Sequence, residues 1–339
     1  MPRALALTLG EPAGIGPDIT LKAWRRRRAL DLAPFYVVGD PDFLKGRADH
    51  LGLEVPLRTV EPHSALACFS EALPVVPLGL TITAKPGEPD ASSAPAALAS
   101  IRRAVADVIE GAASAVVTNP IAKSVLYRHG FAEPGHTEFL GKLAAEASGR
   151  RMQPVMMLWS PELAVVPITI HLPLRDVPTV LTSDLILTTG RIVAHDLRER
   201  FGIPRPRLAI AGLNPHAGEE GALGKEDAAI VAPAVTALRA EGIDARGPLP
   251  ADTMFNARAR EAYDAALCMY HDQALIPIKT VAFDHAVNVT LGLPFVRTSP
   301  DHGTAFDIAG TGKANETSLV AALQLAKRLA RADAPAPVA

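Results

Sequence analysis

The sequence predicts an α/β protein built on mainly parallel sheets. Apolar runs of strand length alternate with helical patterns along almost the whole chain, which is the order that α/β layers produce. Aromatic residues are only 5 % of a chain that is 48 % hydrophobic, so the core is built from Ala, Val, Leu and Ile. At 339 residues the chain is long enough for about two domains.

Taken in order, the apolar stretch 4–9 reads as a first core strand, and Pro17 suits the first turn of a helix over 17–27. Further strands are expected at 35–38, 115–118, 155–158, 164–170, 208–211, 266–269 and 287–291. Helices are expected at 94–110, 137–147, 184–201, 225–241 and 316–332. In the third of these, Leu185, Ile192, Val193, Leu197 and Phe201 fall near one face. The Gly/Pro-rich stretches 84–90 and 247–252 read as turns or exposed loops. No sharp linker divides the chain, which favours two lobes with chain crossing between them and an interlobe ligand cleft.

A formal net charge of −2 gives no electrostatic argument for nucleic acid or an acidic membrane surface. The run Arg25 to Arg28 reads as a solvated helix face. Cys68 and Cys268 lie far apart in apolar settings, as free thiols do in a reducing compartment. The first residues reach Glu11 too soon for a signal peptide, and no apolar run approaches membrane-spanning length. The expectation is a soluble cytoplasmic protein.

Three histidines end strand-like runs: His171 after AVVPITI, His216 in GLNPHAGEEG and His271 in ALCMYHDQ. Brought together they would make a three-nitrogen site with a fourth position open, the arrangement of a catalytic divalent metal. The alternative is three separate turn histidines bonded to backbone. The opening segment TLGEPAGIGPDIT reads as strand, glycine-rich turn and helix. Its glycines Gly10, Gly14 and Gly16 do not match GxGxxG, so a Rossmann assignment is unsupported, and a plain tight turn is an equal reading.

Near the other end, DHGTAFDIAGTGKAN resembles the late cofactor loop of the isocitrate and isopropylmalate dehydrogenase superfamily, and AGIGPD resembles its early glycine turn. That resemblance implies a two-lobed α/β/α fold and makes Gly14, His302, Gly303, Thr304 and Asp307 cofactor contacts. A carboxylate at Asp307 would accept from a ribose 2′-OH and repel a 2′-phosphate, which leans towards NAD over NADP. A closer match covers nearly the whole chain. GEPAGIGPDI, VTNPIAK, GHTEFL, HLPLRDV, GLNPHAGE, GPLPADT, MYHDQ and VNVTLGLPFVRTSPDHGTA, in this order, resemble the 4-hydroxythreonine-4-phosphate dehydrogenase family of vitamin B6 biosynthesis.

That second resemblance implies that His171, His216 and His271 bind one divalent metal per site, shared between the subunits of a homodimer. His171 and His216 are expected from one chain and His271 from the other. It also implies that His136, Thr137, Lys279, Asn288 and Arg297 bind a small phosphorylated amino acid. Histidine ligands favour Zn²⁺, with Co²⁺ or Mg²⁺ as alternatives. Thr137 reads as an N-cap beside free N–H groups, and Lys279 and Arg297 offer charge to phosphate or carboxylate, although a plain cap and a solvated lysine remain open. Asp272, beside His271, would fix an imidazole tautomer. Asp252 would do the same or cap a helix. His136 and Asp252 are the candidate proton acceptors. The implied lobes are 1–125 plus 285–333 for cofactor and 126–284 for metal, substrate and dimerisation, with 334–339 a disordered tail.

The implied reaction oxidises 4-phosphooxy-L-threonine with NAD⁺ to a β-keto acid that decarboxylates to 3-amino-1-hydroxyacetone 1-phosphate. Two rivals are a sister dehydrogenase acting on erythronate or threonate 4-phosphate and a three-histidine zinc hydrolase. Against the hydrolase stand the HGTAFDIAG loop and the lack of an HExxH pairing. A non-catalytic phosphate-binding protein is a third and more remote alternative.

Overall fold

The structure, a computed structural model, describes residues 3–332, so the expected tail 334–339 lies outside the described residues. The chain forms two compact units, one reaching to Pro154 and resuming as Leu293–Arg331, the other spanning Val155–Gly292. Residues 126–154 therefore pack with the first unit and 285–292 with the second, a different division from the one expected.

The first unit contributes strands β1 (Leu5–Thr8), β2 (Phe35–Gly39), β3 (Leu57–Thr59), β4 (Leu73–Pro77) and β5 (Val116–Val117). The second contributes β6 (Val155–Trp159), β7 (Ala164–Pro167), β8 (Arg207–Ala211), β9 (Asp244–Leu249), β10 (Ala265–Cys268) and β11 (Val287–Leu291), and β12 (Arg297–Pro300) then returns to the first. The first unit's strand order is β3-β4-β2-β1-β5-β12, parallel throughout. β1, β2, β5 and β12 are buried along their whole length, as strands covered on both faces must be.

In the second unit the order is β11-β6-β7-β10-β8-β9. β7, β10, β8 and β9 run parallel, while β6 is antiparallel to both β11 and β7. The reversal between β6 and β7 comes from a tight turn. Ser160 Oγ accepts from the backbone N–H groups of Glu162 and Leu163 at 3.2 and 3.1 Å. Leu158, Val165, Ala209, Ala266 and Ile278 pack in this unit's core.

All six expected helices form, at Gly16–Arg25, Ser93–Ile109, His136–Ser148, Ser183–Glu199, Ala232–Ala240 (with a π-helical lead-in at Asp227–Val231) and Thr317–Ala332. Among the described residues, two further helices of ten residues or more were not foreseen. Pro41–His50 is capped by Asp40, whose carboxylate accepts from the N–H groups of Asp42 and Phe43 at 3.0 and 3.3 Å. His271–Ala282 carries Pro277 inside it, which obscured it in the sequence. No helix among the described residues is long and apolar enough to cross a membrane.

Candidate active site

In the first unit, loops following β1 and β5 meet the late glycine-rich segment. Ile15 N–H donates to the Thr304 carbonyl at 2.9 Å, and a Cβ on Gly14 would lie 2.9 Å from that same oxygen. Motifs from opposite ends of the chain thus close on one another, and only glycine permits the approach at Gly14. Gly310 N–H donates to Asp18 Oδ2 at 2.7 Å and extends the junction. Within the late segment, His302 Nδ1 lies 3.0 Å from the Gly303 carbonyl while its Nε2 is buried without a hydrogen-bond partner. Gly303 and Asp307 are exposed, and Asp307 sits in the short turn Phe306–Ile308.

Beside this junction Glu11 is fully buried. Burial pushes its carboxyl pKa up, against the lowering effect of the Ala13 N–H. Its Oε2 has no hydrogen-bond partner, nor has Oδ1 of buried Asn119, whose amide donates to the Thr8 carbonyl and to Thr20 Oγ1 at 2.9 Å each. Such orphaned buried acceptors are the groups that a hydrogen-bonding ligand would satisfy.

The same unit holds His136 and Arg297. Arg297 opens β12 and is 3 % exposed. Its Nε and Nη2 donate to Thr118 Oγ1 at 3.1 and 2.6 Å. Burial pushes the guanidinium pKa down to about 9, which still leaves it charged at neutral pH. His136 is the first residue of its helix, and its Nε2 is buried without a partner. Burial, and then the Arg297 charge, hold its pKa well below the ordinary histidine value, so the ring is neutral at pH 7. Gly135 is the N-cap of this helix, so Thr137 lies in the first turn and is not the cap.

In the second unit, His171 follows β7 and His271 opens the helix His271–Ala282. Their ring centroids are 5.9 Å apart at 38°. Both line a cavity of about 240 Å³ with Thr169, Leu172, Leu174, Val177, Tyr270 and Asp272. His271 Nδ1 is 2.7 Å from Asp272 Oδ1. A carboxylate only accepts, so Nδ1 carries the proton and the lone pair is left on Nε2, the tautomer a metal needs.

His216 is not brought to them. Among the described residues no group of three or more His, Cys, Asp or Glu is placed to hold a metal. His171 and His216 were expected as ligands from one chain; within the chain it is His271 whose ring lies beside that of His171. His216 sits instead in a left-handed turn, with φ of 51°, 52°, 80°, 42° and 54° along residues 216 to 220. His171 is also left-handed, at φ 51°. L-residues avoid this region at a cost of order 1–2 kcal/mol each, and such strain gathers at functional sites.

Lys279 and Asn288 are half-buried, the first in the last turn of the His271 helix and the second on β11 opposite Leu158. Asp252 is exposed in the first turn of Ala251–Met254, whose N-cap is Pro250, so it caps nothing. Thr118 and Asn119 had no role in the sequence reading, although they lie in the quoted segment VTNPIAK. Asn-Pro after a short apolar run signals only a turn.

The family model described as "Pyridoxal phosphate biosynthetic protein PdxA" matches residues 31–326. The chain belongs to this family. It is 68 % identical over 338 residues to 4-hydroxythreonine-4-phosphate dehydrogenase of Bradyrhizobium diazoefficiens, covering 97 % of this chain and 98 % of that one. The Xanthobacter autotrophicus enzyme of the same name is 64 % identical, with 98 % and 95 % covered. The crystal structure of 4-hydroxythreonine-4-phosphate dehydrogenase from Klebsiella pneumoniae superposes with a TM-score of 0.84 at 41 % identity, over 97 % of this chain and all of that one. The PdxA-family chain is accordingly an oxidoreductase, and its mixed α/β fold of mostly parallel strands is the family's fold.

Proposed function

We propose that the protein oxidises the secondary alcohol of 4-phosphooxy-L-threonine with NAD⁺, and that a divalent cation held by histidines takes part. Oxidation removes a hydride from the carbon and a proton from its hydroxyl, and a bound nicotinamide would accept the hydride. The resulting β-keto acid loses CO₂ to give 3-amino-1-hydroxyacetone 1-phosphate. The observation that carries this reading, within a family of dehydrogenases, is the pairing of His171 with His271 on one cavity.

The donor set fits a borderline-soft cation such as Zn²⁺ or Co²⁺: two imidazoles at ligand-sharing range, with Asp272 fixing the tautomer of His271. Such an ion supplies Lewis-acid polarisation of the alcohol and of the later carbonyl. Two ligands are too few for a closed site. His216 of the partner subunit would complete it in a homodimer. Exposed apolar side chains in the same unit, Leu174 at 65 %, Ile276 at 64 % and Phe283 at 74 %, support burial against a second copy.

Arg297 and Lys279 supply positive charge to the substrate's phosphate and carboxylate. Neutral His136 adds a hydrogen bond without a second buried charge, and Thr137 offers its place in a helix first turn. Asn288 is the remaining substrate contact. His136, unprotonated at neutral pH, and exposed Asp252 are the candidate proton acceptors. NAD⁺ supplies the hydride acceptor, and Gly14, His302, Gly303, Thr304 and Asp307 would hold it, with Asp307 on the adenosine ribose.

The test is turnover of 4-phosphooxy-L-threonine against erythronate 4-phosphate, with NAD⁺ and NADP⁺, before and after chelation. Greater activity on the sugar acid, or full activity in protein shown by elemental analysis to be metal-free, would overturn this reading.

A further inference from the structure

The three candidate ligand histidines stand on three separate segments, and one buried side chain ties those segments together. Gln273 lies two residues beyond His271 and is 9 % exposed. A glutamine in a helix's first turn commonly reaches back to the N-cap N–H. This one reaches further. Its Oε1 accepts from Met269 N–H at 2.6 Å, before the helix begins. Its Nε2 donates to the Gly212 carbonyl at 2.8 Å, on the segment that leads into the His216 turn.

From each end the connection continues. The Met269 carbonyl accepts from Thr169 Oγ1 at 2.7 Å, two residues before His171. Beyond Gly212, Asp227 accepts from Leu213 N–H at 2.6 Å and from Asn214 N–H at 3.0 Å. The chain folds so tightly there that a Cβ on Gly212 would lie 2.7 Å from Ala217 Cα. Thr169, Met269, Gln273 and Asp227 are all buried, so water does not compete for these bonds.

We propose that Gln273 is a positioning residue for the cation site, fixing the starts of the His271 helix and the His216 turn and, through Met269, the His171 segment. The proposal rests on the cation-binding reading above. The chemistry explains the residue type. One side chain must accept at one end and donate at the other, which an amide does, a carboxylate does not, and a thioether of similar length does not.

The test uses the full-length protein and Co²⁺ as probe. Co²⁺ affinity is measured by competition with a chelator, together with the visible absorption of the bound ion. The thermal midpoint is measured separately without metal. Gln273→Met is expected to weaken Co²⁺ binding about tenfold and to shift the absorption bands, the lower end of the range for direct hydrogen-bond partners of metal ligands, because Gln273 acts through the backbone that carries them. Ile186→Ala, a core truncation in the same unit remote in sequence from the histidines, is the control for general destabilisation; it should lower the midpoint and leave the Co²⁺ spectrum unchanged.

Thr169→Val breaks only the next link and keeps the test open if Gln273→Met folds poorly; several-fold weaker Co²⁺ binding is expected. Wild-type affinity and spectrum in the Gln273 variant, or a loss matched by Ile186→Ala, would overturn the positioning role while leaving the cation reading in place. Failure of the wild-type protein to bind Co²⁺, or equal binding by His171→Ala, would remove that reading and this proposal together.

Discussion

Arg297 gives two hydrogen bonds to a single acceptor, Thr118 Oγ1, through Nε at 3.1 Å and Nη2 at 2.6 Å. Both residues are buried. A hydroxyl that accepts twice from a guanidinium aims it, because the fork cannot rotate without losing both bonds. Thr118→Val keeps the shape and removes the acceptor. The expected outcome is a KM for the phosphorylated substrate raised about tenfold or more, from loss of about 1–3 kcal/mol, with a smaller change in kcat. Thr118→Ser should restore most of it. Steady-state kinetics on the three proteins decide the matter, and an unchanged KM in the valine variant would mean that Thr118 does not aim Arg297 at the substrate.

The grouping of His171 with His271 predicts which inactive variants rescue one another. His171→Ala mixed with His216→Ala should regain roughly a quarter of wild-type activity after subunit exchange. In the proposed homodimer, half of the dimers are then mixed, and one of the two sites in each escapes both mutations. His171→Ala mixed with His271→Ala should regain nothing, because every site keeps one lesion. Native mass measurement confirms exchange, and the reverse pattern of rescue would reassign the ligands.

The depressed pKa of His136 has a signed consequence for stability. The unfolded chain takes up a proton near the ordinary histidine value, whereas the folded ring resists it. The unfolded state therefore binds more protons between the folded value and about pH 6.5, and stability falls as pH drops through that window. Thermal midpoints from pH 8 to pH 5 should fall more steeply for the wild type than for His136→Asn. Parallel curves would mean that His136 titrates normally.

Closing the gap at Gly14 should affect the cofactor first. In Gly14→Ala the new Cβ meets the Thr304 carbonyl oxygen at 2.9 Å and its Cβ at 3.1 Å, so the early and late loops must part. NAD⁺ binding, followed by calorimetry, is expected to weaken about tenfold or more while Co²⁺ affinity stays as in the wild type. Asp307→Ala should instead shift the ratio of NAD⁺ to NADP⁺ affinity towards NADP⁺. A constant ratio would place Asp307 away from the ribose.

Much of the fold was legible because buried parallel strands and amphipathic helices leave strong patterns. The runs 4–9 and 287–291 became β1 and β11 almost unchanged. The helix His271–Ala282 was not legible, because Pro277 and the near-continuous apolar run around it hide its period. The strand Arg297–Pro300 was missed for a related reason: RTSP has no apolar residue, yet it is buried throughout because its neighbour β5 and side-chain hydrogen bonds accommodate it. Within the site, the histidines and Arg297 stood out by residue type. Their pairing did not, since the contact between His171 and His271 depends on the alignment of β7 with β10, which no local spacing encodes. Thr118 and Gln273 were invisible for the opposite reason: threonine and glutamine acquire a role only from what they touch.

The placement of β12 beside β5 dictates the order in which the chain can be completed. Val155–Gly292 is continuous in sequence and holds all six of its strands, so on the ribosome it has everything it needs once that stretch has emerged. The first unit begins earlier and finishes later. Its β1–β5 sheet waits with an unpaired edge at β5 until residues 297–300 arrive to cover it, and the junction of Gly14 with Thr304 forms later still. A chain that ended at Gly292 would therefore carry all six strands of the second unit, an open sheet edge in the first, and a glycine turn with nothing to close upon.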